Sequence, residues 1–132
     1  MEKLIINIGC SKNHFGAYAE NAKGVYGAGD TVAETKQSIL DAINLLKEYN
    51  EPENVPDILK GGYEIVYKYD AESLFNHYKP ILTMSGMEKL TGINQRQLQH
   101  YSSGLKKPRH AQLKKIETAL HSLGQELLSL EL

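Results

Sequence analysis

The chain has 132 residues, enough for one domain of ordinary size or two small ones, and its 41% hydrophobic and 23% charged content is that of a soluble globular protein. No apolar run approaches the roughly 18 residues that span a bilayer. The opening MEKLIINIGC is too short in its apolar part for a signal peptide, so a cytoplasmic protein without membrane contact is expected. The net charge of −1 divides unevenly: residues 1–79 hold 8 lysines against 12 acidic residues, net −4, and residues 80–132 hold 7 lysines or arginines against 4 glutamates, net +3. Such asymmetry suggests two tasks in one chain, a basic half able to meet nucleic acid and an acidic half able to attract a basic partner. The single cysteine, Cys10, excludes an internal disulfide and has no histidine near it at metal-ligand spacing.

Lys3 to Cys10 is a β-branched run of strand length. Ser11-Lys12-Asn13-His14 reads as a hairpin turn, and Phe15 to Glu20 alternates as a second, antiparallel strand with Phe15, Ala17 and Ala19 on one side. After a turn at Asn21–Gly24, Val25 to Ala28 can add a third strand. The glycines from Gly24 to Gly29 stand before a helix, where anions bind. They lack the spacing and the Lys-Ser/Thr ending of a phosphate loop, and Asp30 would repel a phosphate. Thr31 and Glu34 instead form a capping box, predicting a helix from Val32 to about Tyr49 with Ile39, Ala42, Ile43 and Leu46 facing the sheet.

Residues 51–57, acidic and with two prolines, read as a loop. Tyr63, Ile65, Tyr67 and Tyr69 alternate with Glu64, Val66 and Lys68. A strand is predicted there, completing the sheet or pairing with its copy in a dimer, and the tyrosines suit an amphipathic sheet face better than a base-stacking platform. Asp70 can cap a helix over 71–78 with Leu74, Phe75 and Tyr78 inward, separated by Pro80 from the next helical segment. The fold class expected is α+β: a small antiparallel sheet with one helix over 1–70, then an all-α domain over 71–132.

Within 71–132, Ser85 and Glu88 suggest a capped helix beginning near Gly86, ended by Gly92 in a left-handed turn. Asn94 caps the next helix, with Gln97 repeating the box pattern. Leu98 and Tyr101 share a buried face with Ile93 and Leu90 beside them. Asn94, Gln95, Arg96, Gln99 and His100 are the side chains of a type that reads base edges in a major groove. The loop after that helix offers Ser102, Ser103, Lys106, Lys107 and Arg109 to phosphate oxygens. Gly104 should end the helix and Pro108 start another, along which Leu113, Ile116, Leu120 and Leu123 form an apolar stripe up to a break at Gly124.

The order "leucine, residue, glycine, isoleucine, capping residue", a glutamine-rich helix, then "glycine, residue, lysine, lysine, proline" resembles phage-repressor-type helix-turn-helix domains. That resemblance implies operator binding as a dimer. The strand, strand, strand, helix unit with Gly24, Gly29, Asp30, Thr31 and Glu34 resembles the N-terminal domain of HicB-type antitoxins, some of which carry a small degraded ribonuclease-H-like domain followed by a helix-turn-helix. The likeness spans essentially the whole chain. It departs at Asn21-Ala22-Lys23, where the family usually has a proline-rich turn, and at Val25, where it often has cysteine. The resemblance implies an antitoxin that binds a basic HicA-type ribonuclease toxin and represses its operon on double-stranded operator DNA as a homo-oligomer; no cofactor is expected. A repressor of another class, whose N-terminal domain binds a small ligand or only dimerises, is the alternative. Catalysis is not expected: the first strand has no acid between Leu4 and Cys10, Glu20, Asp30 and Asp41 are dispersed, and the five histidines form no triad.

Overall fold

The computed structural model describes residues 1–11 and 14–132. The chain is α+β, with a four-stranded mixed sheet and five α-helices, and divides into two compact units, Met1–Asp70 and Ala71–Leu132. No helix among the described residues is long and apolar enough to cross a membrane.

In the first unit, β1 (Glu2–Ser11), β2 (His14–Ala19) and β3 (Tyr26–Gly29) pair antiparallel in sequence order. The expected hairpin turn between β1 and β2 falls on Lys12 and Asn13, outside the described residues. The sheet is not wholly antiparallel as expected. β4 (Tyr63–Tyr69) lies parallel to β1, Ile6 opposite Tyr67, giving the order β3-β2-β1-β4. Period-two alternation reveals a strand but not its direction. The direction follows from the connection, because a chain that crosses the sheet through a helix returns parallel to where it began. That helix is α1 (Val32–Tyr49), within the range expected from its cap.

The Thr31 hydroxyl accepts from the Glu34 N–H at 3.0 Å. The Glu34 carboxylate reaches back to the N–H of Asp30, also at 3.0 Å, one residue before the cap itself. The preceding glycines have a packing reason. A Cβ on Gly27 would come within 2.9 Å of the Ile39 side chain, and one on Gly29 within 2.7 Å of the Glu34 Cβ, so β3 passes too close under α1 for any side chain at these two positions.

The core between α1 and the sheet consists of Leu4, Ile6, Ile8, Ala17, Val25, Ile39 and Ile43, with Val55 and Leu59. Val55 corrects the expected acidic loop over 51–57, and Leu59 lies just beyond it. Pro52–Asn54 and Asp57–Lys60 form 3-10 turns that bring Val55 and Leu59 inward. On the other sheet face, Asn7, Tyr18, Tyr26 and Lys68 lie in register across the four strands. Asn21 completes the backbone pairing of β1: its Oδ1 accepts from the Ile5 N–H at 3.0 Å and its Nδ2 donates to the Lys3 carbonyl at 2.8 Å. Lys36 holds its ammonium 4.3 Å from the centre of the Tyr67 ring. Burial pushes the Tyr67 phenol above its ordinary pKa.

The second unit contains α2 (Ala71–Tyr78), α3 (Met84–Thr91), α4 (Gln95–Ser102) and α5 (His110–Leu128). Its core is Ala71, Phe75, Met87, Ile93, Leu98, Tyr101 and Ile116. α5 runs through Gly124, where a break was expected. An interior glycine costs a helix only about 1 kcal/mol, which is too little to stop one already nucleated.

Candidate nucleic-acid interface

The site is built by how α3 hands over to α4. The cap of α3 is Thr83, not Ser85: the Thr83 residue is extended and its hydroxyl accepts from the Gly86 N–H at 3.0 Å, so the helix begins two residues earlier than expected. Glu88 is therefore free for another task. Its carboxylate accepts from the Gln95 N–H at 2.7 Å, placing a negative charge at the positive end of α4. Gly92 takes a left-handed conformation at φ +77°, and its N–H donates to the Glu88 carbonyl at 2.8 Å, closing α3. Thr91 Oγ1 stiffens the turn, donating to the Met87 carbonyl at 2.7 Å and accepting from the Ile93 N–H at 3.1 Å.

Asn94 caps α4 as expected, its Oδ1 accepting from the Gln97 N–H at 2.9 Å. The second half of the expected box is absent, because the Gln97 amide donates to the Tyr101 hydroxyl at 2.8 Å instead of reaching back. Leu98, Tyr101 and Ile93 are buried, whereas Leu90 stands 37% exposed outside the core. The position expected for Leu90 belongs to Met87, which is 1% exposed and one turn of α3 earlier.

The five residues expected to read bases therefore divide. Gln95, Arg96 and Gln99 are exposed, Arg96 and Gln99 on the face away from Leu98 and Tyr101 and Gln95 at its flank in the first turn. Asn94 is exposed but has its carbonyl oxygen committed to the cap. His100 is half-buried, and its Nδ1 is enclosed without a hydrogen-bond partner among the described residues. The five residues expected at phosphates divide in the same way. Lys106, Lys107 and Arg109 are exposed. Ser102 is half-buried and its backbone carbonyl, not its hydroxyl, accepts from Asn76 at 3.1 Å; Ser103 is exposed, and its Oγ donates to the His100 carbonyl at 3.3 Å and accepts from the Leu105 N–H at 3.4 Å, which ties that hydroxyl to the turn. Gly104, at φ +80°, carries the chain away from α4. Pro108 does not start α5. It stands two residues before His110, with Arg109 in the cap position and extended. Pro108 thus stiffens the approach to the helix rather than its first turn.

Sequence reasoning missed Thr83, Met87 and Glu88 in these roles. The signal for Thr83 was present but ambiguous, since Thr83 and Ser85 can both cap. Nothing in the sequence distinguishes a glutamate that caps its own helix from one that caps the next. Among the described residues no group of three or more His, Cys, Asp or Glu side chains is arranged to hold a metal ion. Comparison of the chain with protein-family models, with curated proteins and with solved structures finds no match.

Proposed function

We propose that the protein is a two-part antitoxin and autorepressor of the HicB type: residues 71–132 are a helix-turn-helix that binds operator DNA as a dimer, and residues 1–70 are a degraded ribonuclease-H-like domain that binds a small basic ribonuclease of the HicA type. The observation that carries this reading is the pairing of α3 and α4 through the left-handed Gly92. It leaves Gln95, Arg96 and Gln99 exposed on a helix whose Leu98 and Tyr101 are locked into a core, with three exposed cations just beyond its end. α4 would lie in a major groove. There Arg96 can donate both guanidinium nitrogens to guanine O6 and N7, and Gln95 or Gln99 can pair with adenine N6 and N7. Lys106, Lys107 and Arg109 would neutralise phosphates and fix the register without reading sequence.

The N-terminal half of the proposal rests on the net charge of the first half-chain, the two sheet edges at β3 and β4, and the resemblance. An acidic surface steers a basic partner, and an unpaired edge can accept a strand from it.

The test is a mobility-shift titration on the DNA upstream of the gene against scrambled DNA at two salt concentrations, together with coexpression with the neighbouring short basic open reading frame. Tight, salt-sensitive, sequence-selective binding and a stable, inhibited ribonuclease complex are expected. Equal affinity for scrambled DNA refutes the repressor half, and an uninhibited neighbour refutes the antitoxin half. A second reading, a repressor gated by a small ligand, draws on a cleft on the first unit lined by Asn7, Gly9, Gly16, Tyr18, Lys68 and Asp70. It requires DNA affinity to change with ligand and not with any partner protein.

A further inference from the structure

His100 differs from the other polar residues of α4 in having a side-chain atom that is enclosed and unanswered: Nδ1 is shut off from solvent and has no hydrogen-bond partner among the described residues. The residue is only half-buried, and Nε2 is neither enclosed nor hydrogen-bonded among the described residues. A neutral imidazole has one nitrogen that donates and one that accepts, and which is which follows from what each nitrogen faces. A hydrogen on Nδ1 would be a buried donor with no acceptor, the rarer and costlier kind of orphan. A hydrogen on Nε2 lies on the accessible side, where water or a ligand can accept it. The enclosed Nδ1 therefore keeps the lone pair, and the ring offers a single group to a partner, the Nε2–H donor. His100 follows Arg96 by four residues, so both stand on the side of α4 away from the buried Leu98 and Tyr101.

We propose that His100 determines specificity at one base pair of the operator: it donates from Nε2 to a guanine in the major groove and, having no accessible acceptor, rejects adenine and cytosine there. Guanine presents two acceptors, O6 and N7, and no donor at its major-groove edge. Adenine sets an N6 amino donor beside its N7, and cytosine presents only its N4 amino donor. A donor-only ring over either amino group leaves that group desolvated and unpaired, which is the source of the discrimination. Thymine O4 is a single acceptor beside a methyl group and ranks second. The exposed Gln95 and Gln99 differ in kind, since an amide both donates and accepts and so suits adenine. Arg96 and His100 are both donors only. About 6 Å of helix rise separates them, roughly two base-pair steps, so the guanine at His100 lies within about two pairs of the base that Arg96 contacts. The contact rests on the repressor reading, whereas the hydrogen on Nε2 stands without it.

The experiment has two arms, both on the full chain. In the first, long-range proton–nitrogen correlation spectra of the free protein in mildly alkaline buffer report which ring nitrogen bears the hydrogen, with H100A assigning the signals. Hydrogen on Nε2 is expected, and hydrogen on Nδ1 overturns the proposal. In the second, mobility shifts measure the natural chain, H100A, H100K and H100Q on the duplex from upstream of the gene with each base pair exchanged in turn. Affinities are compared between duplexes within one variant, so any loss of folded protein cancels. The natural chain should lose about tenfold when one particular G·C pair becomes A·T, and H100A should lose that preference alone. H100K, a donor without an acceptor, should keep guanine. H100Q supplies the acceptor that the enclosed Nδ1 withholds, and should turn the preference at that pair to adenine. An H100A chain that keeps every preference of the natural one, a loss spread evenly over all pairs, or an H100Q chain that stays on guanine overturns the proposal. Selective operator binding with hydrogen on Nδ1 refutes this inference and leaves the repressor reading intact. Hydrogen on Nε2 without selective binding refutes the repressor reading and the guanine contact with it, so the two failures are distinct.

Discussion

Gly92 holds φ at +77°, and nothing lies within 4 Å of where a Cβ would stand, so any penalty for a side chain there is backbone strain and not collision. A β-branched residue is strongly disfavoured in the left-handed region, whereas asparagine tolerates it. Gly92→Val should therefore lower unfolding stability by about 2 kcal/mol, and Gly92→Asn by much less, in urea titrations of the whole chain. Equal losses would mean the turn relaxes. Arg96 represents the opposite kind of position, exposed and without a partner among the described residues, so its removal should leave stability alone. Arg96→Ala is expected to cost roughly 1–3 kcal/mol of affinity for the cognate operator and to relax specificity at one base pair. An unchanged affinity would show that another face of α4 does the reading.

At the scale of elements, caps decide where the helices of the second unit begin, and here the sequence is ambiguous in an instructive way. Thr83 and Ser85 both precede a helical stretch, and only the structure assigns the bond to Thr83. Thr83→Ala and Asn94→Ala should each cost about 1 kcal/mol in the same titration, while Ser85→Ala should cost close to nothing. The reverse ranking would put the start of α3 back at Gly86. α1 was legible because its start is capped locally, Thr31 accepting from the Glu34 N–H and the Glu34 carboxylate from the Asp30 N–H, and its apolar face, Ile39 and Ile43, follows the helical period. The parallel pairing of β4 was not legible, because alternation along a strand says nothing of its neighbour's direction. Val55 and Leu59 were hidden for a different reason. They enter the core from 3-10 turns, which have no periodicity long enough to read. Around α4 the buried face was legible from spacing. The enclosure of His100 Nδ1 and the engagement of the Ser103 hydroxyl were not, since the first depends on tertiary packing and the second on a bond to the His100 backbone carbonyl.

At the scale of the whole molecule, the division at Asp70 and Ala71 separates two hydrophobic cores, each assembled from its own unit's residues. A unit with its own core can fold alone. Residues 71–132 expressed alone should therefore unfold cooperatively and bind operator DNA with the salt dependence of the full chain, since Lys106, Lys107 and Arg109 all lie within them. Each phosphate contact contributes about −0.9 to the slope of log affinity against log salt, so K106A/K107A in that fragment should flatten the slope by close to 2 and weaken binding to cognate and scrambled DNA alike. If the fragment folds, keeps the parent's slope and the double variant flattens it, the cations act as phosphate anchors and residues 1–70 are not needed for DNA binding. If the fragment folds but binds with a shallower slope than the full chain, cations of the first unit, such as Lys68 on its sheet face, also meet the DNA, and the proposed assignment of one task to each unit fails.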